Sequence, residues 1–184
     1  MEHAMGRPLQ AGLTLLEMMV ALAIAAVGVC LALPMLGQQM ERQRLRGHAM
    51  ALMGSLEHAR AEALRLNRPV YLCAANLKVN RELQGCLPRQ AGSSQSWPEG
   101  VLVYADQGAA NAYYDGGERL RLAMFDGDRV AVRAEERQLA LTAEGRLQSS
   151  RSVRFVLSGR SQCLALTVAA NGRAKLAEVG DVCA

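Results

Sequence analysis

The apolar run from Leu13 to Leu36 constrains this chain more than any other feature. It is 24 residues long, and Glu17 is its only charged side chain. A helix needs roughly 20 apolar residues to cross the hydrocarbon core of a bilayer. A cleaved secretory signal is the alternative, but its apolar region is typically about 7–15 residues and is followed by the cleavage site. The length therefore favours a membrane-spanning helix over residues 13–36.

An acid near the start of such a helix needs a partner. A carboxylate at the centre of a bilayer costs about 2.5–3.5 kcal/mol on insertion scales. The nearest natural partner for Glu17 is a free α-amino group, which is charged at neutral pH because its pKa is about 8. Such an amine is available if the chain is cut directly before Leu13.

The six residues from Gly12 to Glu17 resemble a prepilin leader site, at which prepilin peptidase cuts after glycine and methylates the new N-terminus. The resemblance implies a leader over residues 1–12, cleavage between Gly12 and Leu13, N-methylation of Leu13 and a role for Glu17 in assembly. Leu13 departs from the family, in which Phe is commonest at this position. Pro34 falls where pilins commonly break the helix.

A second helical pattern follows the apolar run. Apolar residues recur at three- and four-residue steps, which predicts an amphipathic continuation of the helix over residues 37–68. The segment Asn67-Arg68-Pro69 predicts its end, because a proline pushes the preceding residue out of helical geometry. The apolar stripe consists of Leu45, Ala49, Leu52, Met53, Leu56, Ala59 and Ala63.

Short β-rich runs separated by Gly, Asp and Asn follow Pro69 and predict strands. A helix followed by strands predicts an α+β fold, with a long N-terminal membrane-spanning helix packed on an antiparallel β-sheet domain over residues 69–184. Residues 84–100 are expected to form a loop. The predicted strands are Val70–Ala74, Val101–Ala105, Leu120–Phe125, Val130–Val132, Val153–Leu157 and Leu164–Val168.

Several segments of the helix end and of this domain are similar to pilin-like proteins of the GspH/FimT family. This family contains minor pilins of type IV pili and a minor pseudopilin of type II secretion. The similar segments are Ala59–Ala63, Arg68–Cys73, Trp97–Asp106, Asp115–Glu118 with Leu120-Arg121, Glu144–Arg146, and Asn171–Lys175 with the closing Cys183.

The resemblance implies a type IV pilin-like fold and the function of a minor pilin, assembled into or at the tip of the filament to support pilus biogenesis. Prepilin peptidase and other pilins are the implied partners. The implied location is the bacterial inner membrane, with a periplasmic domain, and then the pilus. A minor pseudopilin of type II secretion and a DNA receptor for natural transformation are the alternatives.

The chain has five cysteines. Cys30 lies in the apolar run and is expected to be an inert small residue. The other four permit three connectivities. Because each pair encloses a short segment, we favour Cys73–Cys86 and Cys163–Cys183, formed in the oxidising periplasm. A zinc site is the alternative, but the tight Cys-x2-Cys spacing typical of such sites is absent from the sequence.

Neither catalytic motifs nor phosphate-binding loops appear in the sequence, so we expect neither an enzyme nor a cofactor. The formal charge of +4 is concentrated in two segments. Residues 41–68 carry six Arg against three Glu, and residues 146–184 carry six basic against two acidic groups. A solvated basic surface is the simplest interpretation.

The segment Gly172-Arg173-Ala174-Lys175 permits a sharper hypothesis. Two basic residues two apart on a strand point to one face, where both could contact phosphates. The segment resembles the Gly-Arg-x-Arg motif of FimT-type minor pilins that act as DNA receptors, with Lys175 in place of the last Arg. A solvent-facing hairpin edge, where basic residues discourage aggregation, is the alternative.

Overall fold

The computed structural model describes residues 14–108 and 111–179, apart from the side chains of residues 31–35, 178 and 179. The chain divides into two compact units, Met1–Gln39 and Met40–Ala184. Helix α1, Leu15–Leu66, contributes residues to both.

Local signals set both ends of α1. At the start, the Thr14 hydroxyl accepts a hydrogen bond of 3.3 Å from the backbone N–H of Glu17, as an N-cap residue does. At the other end, Asn67 adopts a left-handed conformation with φ of 49°, and the Arg68 N–H donates to the Ala63 carbonyl at 3.4 Å. This Schellman-type end confirms the stop predicted before Pro69.

In the first unit, the described side chains of α1 are exposed, including Leu15 and Leu16 at 80% and 72%. Within the described part of the chain, no helix meets the length and mean hydropathy needed to span a bilayer.

In the second unit, residues 40–66 of α1 pack against two antiparallel β-sheets. The first sheet has the order β2-β1-β4-β5, with β7 also paired to β1, and the second has the order β10-β9-β8-β6-β3. The strands are β1 Val70–Leu77, β2 Leu83–Cys86, β3 Gln95–Ser96, β4 Gly100–Tyr104, β5 Arg119–Met124, β6 Ala131–Ala134, β7 Gln138–Leu141, β8 Val153–Ser158, β9 Cys163–Val168 and β10 Ala174–Val179. The α+β class expected from the sequence is confirmed, with the strands divided between two sheets.

The main core lies where the apolar stripe of α1 meets the inner faces of both sheets. Leu52 and Leu56 lie between Ala49 and Ala59 on this stripe, which continues to Ala63, and all five residues are buried. Met53, predicted in the stripe, is partly buried at its margin.

Trp97 anchors the second sheet within this core. Its ring packs edge-on against Phe155 at a centroid distance of 5.1 Å. Its indole N–H donates to the Glu136 carbonyl at 3.1 Å, so its polar group is hydrogen-bonded although the side chain is fully buried.

The central strands of the first sheet, β1 and β4, are largely buried on both faces. The outer face of this sheet carries a second cluster of buried residues, made of Cys73, Ala75, Leu102 and Tyr104. A strand buried on both sides reads as a continuous apolar run, and β1 and β4 do so.

All six predicted strands are present, and none of their ends is shifted by more than three residues. Four strands were not predicted, namely β2, β3, β7 and β10. The expectation of a loop over residues 84–100 is wrong at both β2 and β3. These short segments become strands because β2 pairs with β1 and β3 pairs with β6, contacts that the local sequence does not encode.

Candidate assembly site and basic surfaces

The first turn of α1 carries the residue expected to act in assembly. Glu17 lies three residues after the N-cap Thr14, and its backbone N–H is held by the Thr14 hydroxyl. The spacing Thr14-x-x-Glu17 is that of a capping box, in which the glutamate sits at the third helical position. An acid in the first turn is also favoured by the helix dipole. The position of Glu17 is therefore favourable for starting the helix, and its role in assembly stays a prediction.

The structure describes only some of the other residues for which the N-terminal segment predicts a role. The leader, Gly12 and Leu13 lie outside the described residues. Helix α1 runs through residue 34, and the break expected at Pro34 stays a prediction.

The cysteines of the β-sheet domain that the structure describes are disulfide-bonded. Cys73 and Cys86 form a disulfide that joins β1 to β2, as predicted. Cys163 is disulfide-bonded as well, and its predicted partner, Cys183, lies outside the described residues. Cys30 is a free cysteine with an exposed side chain.

The basic C-terminal segment begins in a tight turn between β9 and β10. Gly172 has a φ of 78°, and its N–H donates to the Ala169 carbonyl at 2.8 Å. A side chain at Gly172 would collide with the carbonyl oxygen of Gly145, so this turn packs directly on the turn that carries Arg146. The two Gly-Arg segments singled out in the sequence are therefore neighbours.

The strand register adds a residue to the predicted basic face. Arg173, Lys175 and Ala177 are exposed while Ala174 and Leu176 are half-buried, so Arg173 and Lys175 share one face. Lys175 pairs with Thr167, and Thr167 pairs in turn with Arg154 on β8. Arg154 is exposed and lies in the same cross-strand row as Lys175.

Glu41 forms a contact that ties α1 to the turn between β8 and β9. Its carboxylate accepts hydrogen bonds from the backbone N–H and the hydroxyl of Ser161, both at 2.8 Å, and from the N–H of Gln162 at 3.3 Å. The backbone hydrogen bond from Ser161 is the main cause that lowers the pKa of Glu41 below its ordinary value of 4.5. The neighbouring Arg42 donates from Nε to the Gln162 side chain at 3.4 Å. We refer to these contacts as the Glu41 clamp.

An open cleft of about 690 Å³ lies between the β1–β2 and β5–β6 turns. Lys78 and Arg81 line one side, and Glu99, Asp126 and Asp128 are also among its lining residues. The Glu99 carboxylate accepts a hydrogen bond from the backbone N–H of Leu77 and so holds the end of β1, where the β1–β2 turn begins. In residues 14–108 and 111–179, no group of three or more His, Cys, Asp or Glu could hold a metal ion.

Comparison with known families gives a match over most of this domain. Residues 48–172, more than half of the chain, match the family described as type II transport protein GspH. The chain belongs to the GspH family. Residues 7–32 match the prokaryotic N-terminal methylation motif, which contains the Gly12–Leu13 junction and Glu17. The GspH match ends at Gly172, in the turn that precedes Arg173 and Lys175.

Two crystal forms of the type IV minor pilin FimU of Pseudomonas aeruginosa resemble this GspH-family chain. The first is 22% identical and covers 74% of this chain and 90% of FimU, with a TM-score of 0.52. The second has the same identity and covers 72% and 92%, with a TM-score of 0.48. At this identity the likeness of the first form shows a shared pilin-type fold. No curated protein matches the chain.

Sequence reasoning missed three residues of these surfaces. Thr14 was detectable, because Thr-x-x-Glu before an apolar run is a helix-start signature. Arg154 was detectable as well, since alternation along Val153–Leu157 places it on the outer face of its strand. Glu41 was not, because its partner Ser161 lies 120 residues away.

Proposed function

We propose that this protein is a minor pilin of a type IV pilus. The observation that carries the proposal is the order of the two family matches on one chain: an N-terminal methylation motif at residues 7–32 precedes a GspH domain at residues 48–172. In the proposed pathway, prepilin peptidase cuts between Gly12 and Leu13 and methylates Leu13. Residues 13–36 anchor the subunit in the inner membrane, with the domain in the periplasm.

The proposed role of Glu17 is electrostatic. When apolar helices bundle in the filament, the charged N-terminal amine of a neighbouring subunit enters an apolar environment. An unpaired charge is costly there, so the Glu17 carboxylate neutralises it. In this proposal, α1 forms the helix–helix contacts that assemble the filament, and the β-sheet domain provides the surfaces that select neighbouring subunits.

A minor pseudopilin of type II secretion is the alternative, and the description of the matched family names type II transport. The pilus is preferred because FimU, whose fold this chain shares, is a type IV minor pilin that spans a comparable length of chain. The β-sheet domain is the part in which pilus and secretion subunits would differ in their partners.

The experiment that tests the proposal follows processing and incorporation together. Expressed with prepilin peptidase, the mature protein should begin at methylated Leu13 by mass spectrometry, and it should be recovered in sheared pili. Gly12→Arg should stay unprocessed and absent from pili. An intact leader, or a cut beyond Ala25, would contradict the processing step; correct processing with absence from pili would favour the pseudopilin.

A DNA receptor is a second candidate, favoured by one specific observation. Arg173 and Lys175 are exposed on one face, and the register brings Arg154 into line with Lys175 across Thr167. Basic side chains in one row, with Lys175 and Arg154 two strands apart, are suited to the phosphate backbone of DNA, whose contacts position a protein without reading sequence.

A further inference from the structure

The side chain of His48 joins α1 to the β5–β6 turn, residues 125–130. Its Nδ1–H donates to the Arg44 carbonyl, one helical turn earlier, at 2.9 Å. Its Nε2 accepts a hydrogen bond of 2.9 Å from the backbone N–H of Asp126. The ring also packs against the ring of Phe125 at a centroid distance of 5.2 Å. Both ring nitrogens of this half-buried histidine are therefore engaged, one with each of the two elements.

The two hydrogen-bond partners of His48 fix the protonation state of its ring. A carbonyl oxygen can only accept and a backbone N–H can only donate, so Nδ1 carries the proton and Nε2 carries none. The imidazolium form has a proton on each nitrogen. It would set an N–H of the ring against the N–H of Asp126, and the hydrogen bond between them would be lost. The contact between α1 and the turn therefore requires a neutral ring.

Charged side chains around this contact act on the charge of the ring but do not replace its hydrogen bond. The carboxylates of Asp126 and Asp128 attract a positive ring, whereas Arg44 repels it. The Asp126 carboxylate also lies 3.6 Å from Nε of Arg129. Whichever effect is larger, the N–H of Asp126 needs an acceptor, and a protonated ring offers none. The charged groups are Arg44 and Arg46 on α1, Asp126, Asp128 and Arg129 in the turn, and Lys78, Arg81 and Glu99 across the cleft.

The rest of the β5–β6 turn is held by groups that do not titrate. The Phe125 N–H donates to the Glu99 carbonyl at 2.9 Å, and the Asp126 carbonyl accepts from the N–H groups of Arg129 and Val130 at 3.2 Å. A side chain at Gly127 would collide with the Pro98 carbonyl, so the turn also packs on this segment. Loss of the bond to His48 therefore frees the Asp126 N–H while the turn stays closed on itself.

We propose that His48 is a pH-sensitive latch, closed while its ring is neutral and released when a proton binds to Nε2 in mild acid. Histidine is suited to this role because its charge ordinarily changes between about pH 5 and 8. Phe125, Asp126 and Asp128 line the open cleft, so release of the turn from α1 changes one side of that cleft. The inference is independent of the proposed pilin function, because all of these contacts lie within the unit Met40–Ala184.

Amide-resolved hydrogen exchange of the full chain in detergent micelles tests the latch. At about pH 7.5 and about pH 5.5 carboxylates stay ionised, so histidine is the side-chain type that changes charge between them. A released imidazole titrates near about pH 6.5, so the ratio of closed to released latch should fall about tenfold between these two values. After correction for the direct effect of pH on exchange, the Asp126 amide should lose protection by about that factor. The Phe125 amide, bonded to the Glu99 carbonyl, should keep its protection.

His48→Gln supplies a chain without the titrating ring, and in this variant the protection of the Asp126 amide should not depend on pH. The matched control is His58→Gln, which removes the other histidine of α1 and should leave the pH response of Asp126 unchanged. Wild-type protection of the Asp126 amide that is the same at both pH values would overturn the proposal. So would equal losses at Asp126 and Phe125, which indicate general opening, or a pH response that persists in His48→Gln.

Discussion

At the scale of single residues, Glu41 is the side chain with the clearest energetic role outside the core. Replacing it by Ala leaves the N–H groups of Ser161 and Gln162 without their acceptor. Hydrogen bonds to a charged group contribute about 1.5–3 kcal/mol, and partial exposure reduces this by screening. We expect Glu41→Ala to lower the free energy of unfolding by about 1 kcal/mol, measured by urea unfolding of the full chain in detergent. Glu57→Ala, an exposed acid on the same helix, should have little effect.

The same contact gives the stability a defined pH dependence. Because the folded pKa of Glu41 lies below its ordinary value of 4.5, its contribution is fully present above that value. The contribution is lost as the pH falls through the folded pKa, since the protonated acid is a poorer acceptor. The wild type and Glu41→Ala should therefore differ in stability near neutral pH and converge in acid. A difference that persists unchanged in acid would show that the carboxylate charge is not its origin.

Glu17 allows its two roles to be separated. Glu17→Ala should insert into the membrane normally, because losing an acid only makes the helix more apolar, yet it should be depleted from sheared pili. Glu17→Gln is the matched variant, since a glutamine preserves the Thr14-x-x-Gln capping box but carries no charge. We expect both variants to be depleted. Wild-type incorporation of Glu17→Gln would show that the charge is dispensable and that helix capping is the function of this residue.

At the scale of elements, the disulfide of β1 and β2 should contribute a large share of the domain's stability. The bridge links residues 13 apart, and a disulfide typically contributes about 2–4 kcal/mol. Cys73→Ser with Cys86→Ser should lower the unfolding free energy by about that amount in urea titrations under oxidising conditions. Cys30→Ser should change little, because Cys30 is free. Peptide mapping without reduction should also find Cys163 joined to Cys183; a Cys73–Cys163 link or free thiols would refute this pairing.

The strands that were predicted from the sequence differ in amino-acid composition from the strands that were not predicted. The runs at Val70, Val101 and Val153 are rich in β-branched and aromatic residues, whose strand preference is local. By contrast, β10 contains Ala174, Lys175, Leu176 and Glu178, which favour helices in isolation. It becomes a strand because all six of its residues pair with β9. Tertiary pairing overrides propensity there.

The candidate sites can likewise be divided into those set by local sequence and those set by tertiary contacts. The Gly12–Glu17 motif, the Cys73–Cys86 bridge and the exposure of Arg173 and Lys175 are properties of short segments, so the sequence carries them. The Glu41 clamp and the alignment of Arg154 with Lys175 depend on residues brought together by folding. Without the strand register, neither could be inferred from spacing along the chain.

At the scale of the whole molecule, the exposed basic face that carries Arg173 and Lys175 leads to a prediction about DNA binding. If the domain binds DNA, binding should be independent of sequence and should weaken steeply with salt, because phosphate contacts release counterions. Arg173→Gln with Lys175→Gln should reduce the affinity in gel-shift titrations. Arg119→Gln with Arg121→Gln is matched in spacing and exposure on β5 and should have a smaller effect.

Equal effects of the two pairs would indicate a generally basic protein without a DNA site, and no retardation at low salt would leave the structural role alone. Loss of binding confined to the Arg173 and Lys175 variant, together with loss of natural transformation, would make the receptor function the stronger proposal.

The position of β1 has a consequence for how the domain folds. β1 pairs with β4 and also with β7, which begins only at Gln138, and the clamp joins Glu41 to Ser161 across 120 residues. Contacts so distant in sequence slow folding, because loop closure must precede the stabilising interactions. The nascent chain therefore cannot complete its first sheet before Leu141 is available, or its clamp before Ser161 is available. Until then, the apolar stripe of α1 and the central strand β1 remain partly uncovered, and exposed apolar surface of this kind favours aggregation.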